Sequence, residues 1–414
     1  MRIAIFVGEF PALSETFVMR QVVGLLERGH DVTVFADRPR SEPLTHPDFE
    51  HYGLRQRTRY LGMPANRTLR VLTAVGHLLR HPGRAGRLLR TLNVIRHGRD
   101  AAGLRLFFWA ARLLPEPPFD VLHCHFGPVG GMVGVLRDIG AVQGLLATTF
   151  HGADLTACLR ERPAMYRDLM RDGDLFLPIS EYLRKRLLKL GCEPSRLAVL
   201  RMGVDLDRFV ERPRRRVDTG PLKVLTIGRL VEKKGVADGL RAVAWARRRG
   251  VELRYTIIGD GPLRGPLEAL AGELGIADAV RFRGWQMQDA IVEALYEHDV
   301  LLAPSVTATD GDQEGIPVTL MEAMATGMPV VSTRHSGIPE LVEDGHSGLL
   351  ADEGDPAALA DALIRLSDSA ELARSLGSAA RLRVAAVHDA DALDDQLDGH
   401  LRSLAAAPLA QAAE

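Results

Sequence analysis

The chain has 414 residues, of which 46% are hydrophobic and 25% are charged, and its formal net charge is −1. This length exceeds what one hydrophobic core usually supports, so we expect two domains. A net charge near zero gives no global electrostatic reason to expect nucleic acid as a partner. The three cysteines show no C-x-x-C spacing, which argues against a disulfide framework and a structural zinc site.

Targeting and membrane-spanning segments are not apparent in the sequence. No stretch approaches the roughly 20 apolar residues that cross a bilayer, and the apolar run at the N-terminus is too short for a signal peptide. Sparse, scattered cysteines indicate a reducing compartment. We therefore expect a cytoplasmic protein.

The first half of the chain alternates predicted strands and helices. An apolar run at 3–7 predicts a buried parallel strand, and the helical pattern after it has Ser14 as a candidate N-cap and Gly29 as a stop. Helices are predicted near 130–136, 164–170 and 181–190. Further strands are predicted at 31–36, 121–123, 145–150, 175–179 and 197–200. This alternation is typical of a doubly wound α/β sheet.

A charged, proline-bearing stretch at 211–221 predicts a linker, and a second alternation follows it. Its strands are predicted at 224–227, 253–258, 280–282, 300–303 and 329–332, and its helices at 236–248, at 316–325 and over most of 356–406. We therefore expect two Rossmann-like, doubly wound α/β domains that face each other across a cleft. The predicted parts are residues 1–203, residues 204–388, and a C-terminal helix with a frayed tail at 389–414.

The densest chemical signal lies between Asp310 and Ser332. There Glu314-Gly315-Ile316-Pro317 closes a loop and opens a predicted helix, with Pro317 in its first turn and Glu322 further along. The free backbone N–H groups and dipole of a helix start suit a phosphate or a polyhydroxylated ligand. A carboxylate before the helix can accept hydrogen bonds from sugar hydroxyls, and one on a later turn from ribose hydroxyls. The alternative is a capped amphipathic helix with two solvated glutamates.

In this context the chain closely resembles the retaining glycosyltransferases of family 4, which share the two-domain GT-B fold. The resemblance spans essentially the whole chain and is carried, in the family's order, by FPALSETF, HCHFG, FHGAD, MGVDLDRF, GRLVEKKG, EGIPVTLMEAMATGMPVV and SGIPELVEDG. This combination looks most like bacterial exopolysaccharide enzymes of the colanic-acid type. The resemblance implies transfer of a hexose from a nucleotide sugar to a glycan or lipid-linked acceptor. We favour a UDP-sugar as donor, with GDP-mannose second.

The resemblance also assigns residues to the donor. Arg229 and Lys234 would hold the diphosphate, and fixed cations aimed at a leaving group that gains negative charge lower the barrier to its departure. Gly259 and Gly261 would let the backbone approach the nucleotide, and their spacing is not the G-x-G-x-x-G of dinucleotide-binding dehydrogenases. Trp285 would lie near the base. Each assignment has a structural alternative: a basic surface turn for Arg229 and Lys234, a tight turn for Gly259 and Gly261, and simple packing for Trp285.

In the first half, His151 follows a predicted strand and resembles the family's histidine at the catalytic face, beside the sugar. The first predicted strand–helix loop, residues 8–16, lacks the glycine pair that many relatives carry, so its contacts with donor or acceptor stay open. No carboxylate nucleophile is apparent in the first domain. A same-face route assisted by the departing phosphate is one way to retain configuration.

Two patterns that can indicate metal binding are weak here. His123 and His125 have a metal-like spacing but no evident third ligand. The D-x-D tripeptides at 172–174, 205–207 and 310–312 are too short to be specific. We therefore expect no essential metal, and no cofactor besides the nucleotide-sugar donor as co-substrate.

One region is strongly basic. From Arg55 to Arg112 there are 13 arginines and one acid, Asp100, with apolar residues at helical spacing that predict basic amphipathic helices. Two interpretations stay open. The helices cover the first sheet and their arginines are solvated, or the region docks the protein on an anionic membrane, at the inner face of the plasma membrane.

Two other functions remain as alternatives on the same architecture. A nucleotide-sugar epimerase would convert the donor without an acceptor. A non-catalytic protein would bind a nucleotide sugar or a glycan, although the full set of charged site residues argues against this.

Overall fold

The structure is a computed structural model that describes residues 1–12, 15–39, 47–212 and 220–406. The predicted N-cap Ser14, most of the predicted linker at 211–221 and the end of the predicted tail, 407–414, lie outside the described residues.

Two parallel sheets, each of six strands, organise the described chain. The first has the order β3-β2-β1-β4-β5-β6 and consists of β1 (Arg2–Glu9), β2 (Asp31–Arg38), β3 (Thr58–Tyr60), β4 (Val121–His125), β5 (Leu145–Phe150) and β6 (Leu175–Pro178). The second has the order β12-β11-β10-β7-β8-β9 and consists of β7 (Leu222–Ile227), β8 (Leu253–Ile258), β9 (Val280–Phe282), β10 (Val300–Ala303), β11 (Val330–Thr333) and β12 (Leu349–Ala351). Both have the doubly wound strand order of Rossmann domains, which confirms the predicted fold class.

Helices connect the strands and cover the sheets. In the first half they are α1 (Thr16–Glu27), α2 (Pro47–His51), α3 (Leu54–Arg57), α4 (Arg67–Arg80), α5 (Pro82–Arg90), α6 (Val94–Ala102), α7 (Arg105–Leu113), α8 (Gly127–Asp138), α9 (Ala157–Glu161), α10 (Arg167–Asp172) and α11 (Glu181–Lys189). In the second half they are α12 (Val236–Arg248), α13 (Arg264–Glu273), α14 (Gln288–Glu297), α15 (Val318–Ala325), α16 (Ile338–Leu341), α17 (Pro356–Asp368), α18 (Ala370–Val387) and α19 (Ala390–Ala406). Short 3-10 turns lie at Ala153–Leu155, Pro194–Arg196 and Glu232–Lys234.

The strand predicted at 197–200 is wrong. Leu197 forms a single bridge with Phe176, and the N–H groups of Ala198 and Leu200 donate to carbonyls of β6. The segment therefore runs beside β6 without forming a continuous ladder. The edge strands β3 and β12 are not predicted from the sequence.

The two domains share buried surface. One apolar cluster includes Phe150 and Ile179 from the first domain together with Ile227, Ile316 and Met321 from the second, all of them buried. Burial of apolar surface is the dominant favourable term in folding and association, so this cluster stabilises the placement of one sheet against the other.

The C-terminal helix α19 returns to the first domain. Its Leu397 and Leu401 join the buried cluster that also contains Val22 and Leu25 of α1. Arg28 donates to Asp395 at 2.6 Å across the same interface. The last described helix therefore packs on the first domain, while the predicted boundaries at 203 and 388 stay predictions.

We expect Leu397→Ala to lower the free energy of unfolding by about 2–5 kcal/mol, because it leaves a cavity between α19 and the first sheet. Leu382→Ala is the matched control, since Leu382 is 72% exposed and Leu397 is fully buried. The control should change stability by less than about 0.5 kcal/mol. Urea denaturation measures both, and equal effects would show that α19 is not packed as described.

Candidate active site

A cavity of about 330 Å³ lies between the carboxyl ends of the two sheets. The first domain contributes residues that follow β1, β4 and β5, and the second contributes residues that follow β7, β8, β9 and β10. Of the residues named from the sequence, the lining includes His151, Arg229, Lys234, Gly259, Trp285, Glu314, Gly315, Ile316, Pro317 and Glu322. Ligands of doubly wound domains bind at this end of the strands.

The loops after β5 and β10 meet backbone to backbone across this cavity. Gly152 has a φ of 137°, and a Cβ placed there would lie 2.8 Å from the backbone nitrogen of Gly315. A Cβ on Gly315 would overlap the carbonyl oxygen of His151. Only glycine at both positions allows this approach, which brings the His151 loop and the Glu314 loop together.

Glu314 is held by two lysines. Its carboxylate lies 2.9 Å from Lys234 Nζ and 3.4 Å from Lys233 Nζ, and 11% of its side chain is exposed. Burial on its own raises the pKa of Glu314, but the two lysines outweigh it and lower the pKa to about 2. Glu314 is therefore a carboxylate, an acceptor only, at any physiological pH.

Lys233 was not singled out from the sequence as a site residue. It is buried, lines the cavity and also contacts Asp312 at 3.0 Å. Adjacent lysines in a loop do not reveal which of them turns inward, so the sequence carries no signal that separates Lys233 from Lys234.

The loop after β7 is shaped by a neighbouring glycine. Gly259 has a φ of 130°, and a Cβ there would overlap the carbonyl oxygen of Gly228. The exposed Arg229 lines the cavity at this point. Gly261 lies against Leu230 and is not among the described residues that line the cavity, so it supports the loop from outside.

Glu322 lies on α15 and is 6% exposed. Burial raises its pKa to about 7, against the opposing effect of Arg208. The helix begins at Val318, two residues later than predicted, because Pro317 has an extended ψ of 125° and precedes the first turn. The prediction that Pro317 lies within the first turn is therefore wrong.

His151 is packed between two aromatic rings. Its ring centroid lies 4.5 Å from that of Phe17 and 4.6 Å from that of Phe126, and its Nε2 lies 3.2 Å from His125 Nδ1. Burial, with a smaller effect of His123, lowers the pKa of His151 to about 3. The imidazole is therefore neutral at physiological pH, so it can donate or accept hydrogen bonds without adding charge.

The sequence missed one carboxylate of the first domain. Glu15 precedes α1 and lines the cavity, together with Thr16 and Phe17. Glu15 is thus a first-domain carboxylate at the cavity, and the expectation that this domain supplies no carboxylate nucleophile stays a prediction. The sequence carries no signal for this position, because the other residues of the same lining lie far along the chain.

The comparisons with known proteins agree with this architecture. Residues 14–208 match the family model described as Glycosyltransferase Family 4, and residues 207–383 match the model of glycosyl transferases group 1. A colanic acid biosynthesis glycosyltransferase of Salmonella typhimurium, WcaL, is 38% identical over 408 residues, which cover 98% of this chain and 100% of WcaL. This chain belongs to glycosyltransferase family 4. The amylovoran biosynthesis glycosyltransferase AmsK of Erwinia amylovora is also 38% identical, covering 89% and 91% of the two chains.

Solved structures show that the fold of this glycosyltransferase is GT-B. Anabaena HepE, crystallised with UDP and glucose, superposes with a TM-score of 0.71 at 16% identity and covers 97% of this chain and 100% of its own. WaaG, a glycosyltransferase of lipopolysaccharide biosynthesis, has a TM-score of 0.66 at 18% identity, with 96% and 99% covered.

Within the described part of this glycosyltransferase, no three His, Cys, Asp or Glu side chains are grouped to hold a metal ion. Two of the D-x-D tripeptides form turns, in which Asp205 and Asp310 each accept a backbone N–H from two residues ahead. In the third, Asp174 accepts the N–H of Leu146 at 2.7 Å. These contacts explain the three tripeptides structurally, and metal independence stays a prediction.

The raised pKa of Glu322 predicts a pH dependence of the free energy of unfolding, which tests whether this side chain is buried. An acid whose folded-state pKa is about 7, above its ordinary 4.5, binds its proton more tightly when folded, so its contribution to stability falls as pH rises through that window. We expect Glu322→Gln to gain stability relative to the wild type by on the order of 3 kcal/mol between about pH 4.5 and pH 8.

Chemical denaturation at several pH values measures this difference, and other titrating groups cancel in the comparison. Glu293→Gln, which changes an exposed glutamate on α14, is the control and should follow the wild type. A pH-independent difference between Glu322→Gln and the wild type would contradict the burial of an ionisable Glu322.

Proposed function

We propose that this glycosyltransferase transfers a hexose, with retention of configuration, from a nucleotide sugar to a glycan or lipid-linked acceptor in exopolysaccharide biosynthesis. A UDP-sugar is the favoured donor. The observation that carries the proposal is that two cations, Arg229 and Lys234, and two buried carboxylates, Glu314 and Glu322, line one interdomain cavity. The biosynthetic roles named for WcaL and AmsK support the pathway, and HepE has been crystallised with UDP-glucose.

The charges divide the cavity into a diphosphate region and a sugar region. Arg229 is exposed at the cavity and makes no ion pair with another described residue, so its guanidinium is available for a diphosphate. Lys234 lines the same cavity and lies 2.9 Å from Glu314, and its ammonium group has further hydrogens to donate to a phosphate oxygen. Glu314 then accepts hydrogen bonds from hydroxyl groups of the transferred sugar, and Glu322 accepts hydrogen bonds from hydroxyl groups of the ribose.

The reacting face is formed with the first domain. The neutral His151 adds no charge beside the sugar, so the positive charge of the site stays with Arg229 and the lysines, where the leaving diphosphate gains negative charge. We propose that the acceptor enters on this side and attacks from the face that the diphosphate leaves. The anomeric configuration of the product, measured by NMR, tests retention.

We expect Arg229→Ala to lower kcat/KM by roughly 10²–10³, because it removes a fixed cation aimed at the leaving diphosphate. The donor is first found by thermal shift with a panel of UDP-, GDP-, ADP- and TDP-sugars, since a ligand that binds the folded state raises the melting temperature. Kinetics with the selected donor then compare the variant with the wild type.

Arg281→Ala is the matched control, because Arg281 is an exposed arginine on β9 that does not line the cavity. It should retain wild-type kinetics. A wild type that no nucleotide sugar stabilises would refute the proposed donor class, and equal activity of Arg229→Ala and Arg281→Ala would refute the role of Arg229. Donor conversion without any acceptor would favour an epimerase.

We also propose that the protein binds the inner face of the plasma membrane through α4–α6. On α4 the apolar side chains predicted at helical spacing face solvent: Leu69 is 54% exposed, Leu72 65% and Leu79 77%. On α6, Ile95 is fully exposed. Covering the first sheet therefore does not explain these side chains, although Leu88 of α5 is buried in that role.

The charge of this surface supports an anionic membrane as its partner. Arg80, Arg87 and Arg90 are exposed beside the apolar side chains, and none forms an ion pair with another described residue. Exposed leucines flanked by unpaired arginines match the interface of an anionic bilayer, where each well-placed basic residue contributes about 1 kcal/mol. None of the helices in the described ranges has the length and apolar character needed to span a membrane, so the contact proposed is peripheral.

We expect charge reversal of Arg80, Arg84, Arg87 and Arg90 to abolish flotation with vesicles that contain anionic lipid, because the electrostatic attraction becomes repulsion. The control reverses four other arginines, Arg248, Arg254, Arg365 and Arg374, all exposed on the second domain. This control makes the same change in net charge and should float like the wild type. The membrane proposal would be refuted if all three proteins floated equally or if none of them floated.

A further inference from the structure

A buried histidine lies behind the Glu314 loop. His335 follows β11, is fully buried, and its Nε2 accepts the backbone N–H of Glu314 at 3.0 Å. No motif in the sequence points to His335, and it is not among the described residues that line the cavity. Its contact is with the backbone that carries Glu314, so any effect on the site is transmitted through that loop.

The hydrogen-bond partner of the other ring nitrogen, Nδ1, determines the tautomer of His335. Nδ1 lies 2.7 Å from Oε1 of Glu353, whose pKa is lowered, against its partial burial, by hydrogen bonds from Thr307 and His335. A carboxylate only accepts, so Nδ1 carries the hydrogen and donates it. Nε2 is left as an acceptor, as the N–H of Glu314 requires.

Glu353 holds the same loop by a second path. Its Oε2 accepts the backbone N–H of Thr307 at 2.7 Å, and the Thr307 hydroxyl accepts from Gln313 Nε2 at 3.0 Å. The amide oxygen of Gln313 in turn accepts from Tyr182 of the first domain at 2.8 Å. One carboxylate therefore anchors two consecutive residues, Gln313 by its side chain and Glu314 by its backbone.

We propose that His335 and Glu353 are positioning residues that fix the 313–315 loop so that Glu314 faces the sugar of the donor. This inference rests on the proposed function. Each of the two side chains must make specific hydrogen bonds. His335 must accept on one side and donate on the other, whereas Glu353 must accept on both oxygens. Loss of either leaves a buried N–H without a partner, which weakens the loop geometry.

The decisive pair of variants is His335→Leu and His335→Gln. Leucine removes both hydrogen bonds, whereas a glutamine amide can accept from Glu314 and donate to Glu353. We expect His335→Leu to bind the nucleotide sugar selected by the panel, with UDP-glucose tested first, roughly tenfold or more weakly. Its affinity for UDP should stay within about threefold of the wild type, because Arg229 and Lys234 hold the diphosphate. His335→Gln should bind both ligands within about threefold of the wild type.

Glu353→Gln is the second variant and decides the matter if His335→Leu does not fold. Its amide nitrogen would face an N–H donor, so it should also lose affinity for the nucleotide sugar and retain it for UDP. Asp352→Asn is the control, because Asp352 is the neighbouring carboxylate, is 79% exposed and pairs with Arg334. It should bind like the wild type.

Isothermal titration with both ligands distinguishes the outcomes. A wild type that binds no nucleotide sugar refutes the proposed function, and this inference falls with it. If the wild type binds the nucleotide sugar, and His335→Leu or a folded Glu353→Gln binds it equally well, the positioning role alone is refuted. Equal loss of both ligands in His335→Leu and His335→Gln also refutes it, because that would reflect general disruption.

Discussion

The site depends on a contact that involves no side chains, the approach of Gly152 to Gly315. A Cβ on Gly315 would overlap the His151 carbonyl, so these glycines let a loop of the first domain and a loop of the second meet directly. The consequence is that His151 and Glu314, which lie at the carboxyl ends of strands in different sheets, border one cavity. Apolar burial shared by the two domains, including Ile316 and Ile179, stabilises the same contact.

The ionisation of the titratable side chains around this contact depends on their burial and on their ion pairs. Glu314 stays ionised because Lys233 and Lys234 outweigh the cost of burying its carboxylate. Glu322 forms no ion pair with another described residue, and burial raises its pKa to about 7. Burial likewise disfavours the charged form of His151 and lowers its pKa to about 3. Two glutamates eight positions apart in one motif therefore differ in ionisation because their surroundings differ.

Two features of the first domain extend its role beyond the cavity. Helix α19, from the end of the chain, packs on α1, whose first residues Thr16 and Phe17 line the site, so the end of the chain supports that wall. In the basic region between Arg55 and Arg112, leucines of α4 such as Leu72 face solvent. A family 4 glycosyltransferase proposed to use a lipid-linked acceptor would gain from such a surface, because docking would hold the first domain at the bilayer.

Local sequence patterns are enough to predict the alternation of strands and helices and the loops in which Arg229, Glu314 and His151 lie, because buried strands and the turns after them have characteristic residue patterns. The tertiary structure decided what those patterns cannot contain: the inward turn of Lys233, the approach of Glu15, and the exposure of the α4 leucines. The hydrogen bonds from Glu353 through His335 to Glu314 span almost forty positions of the chain, with β11 and β12 between them. Burial and long-range pairing depend on which distant segment packs against a residue, and no local spacing records that.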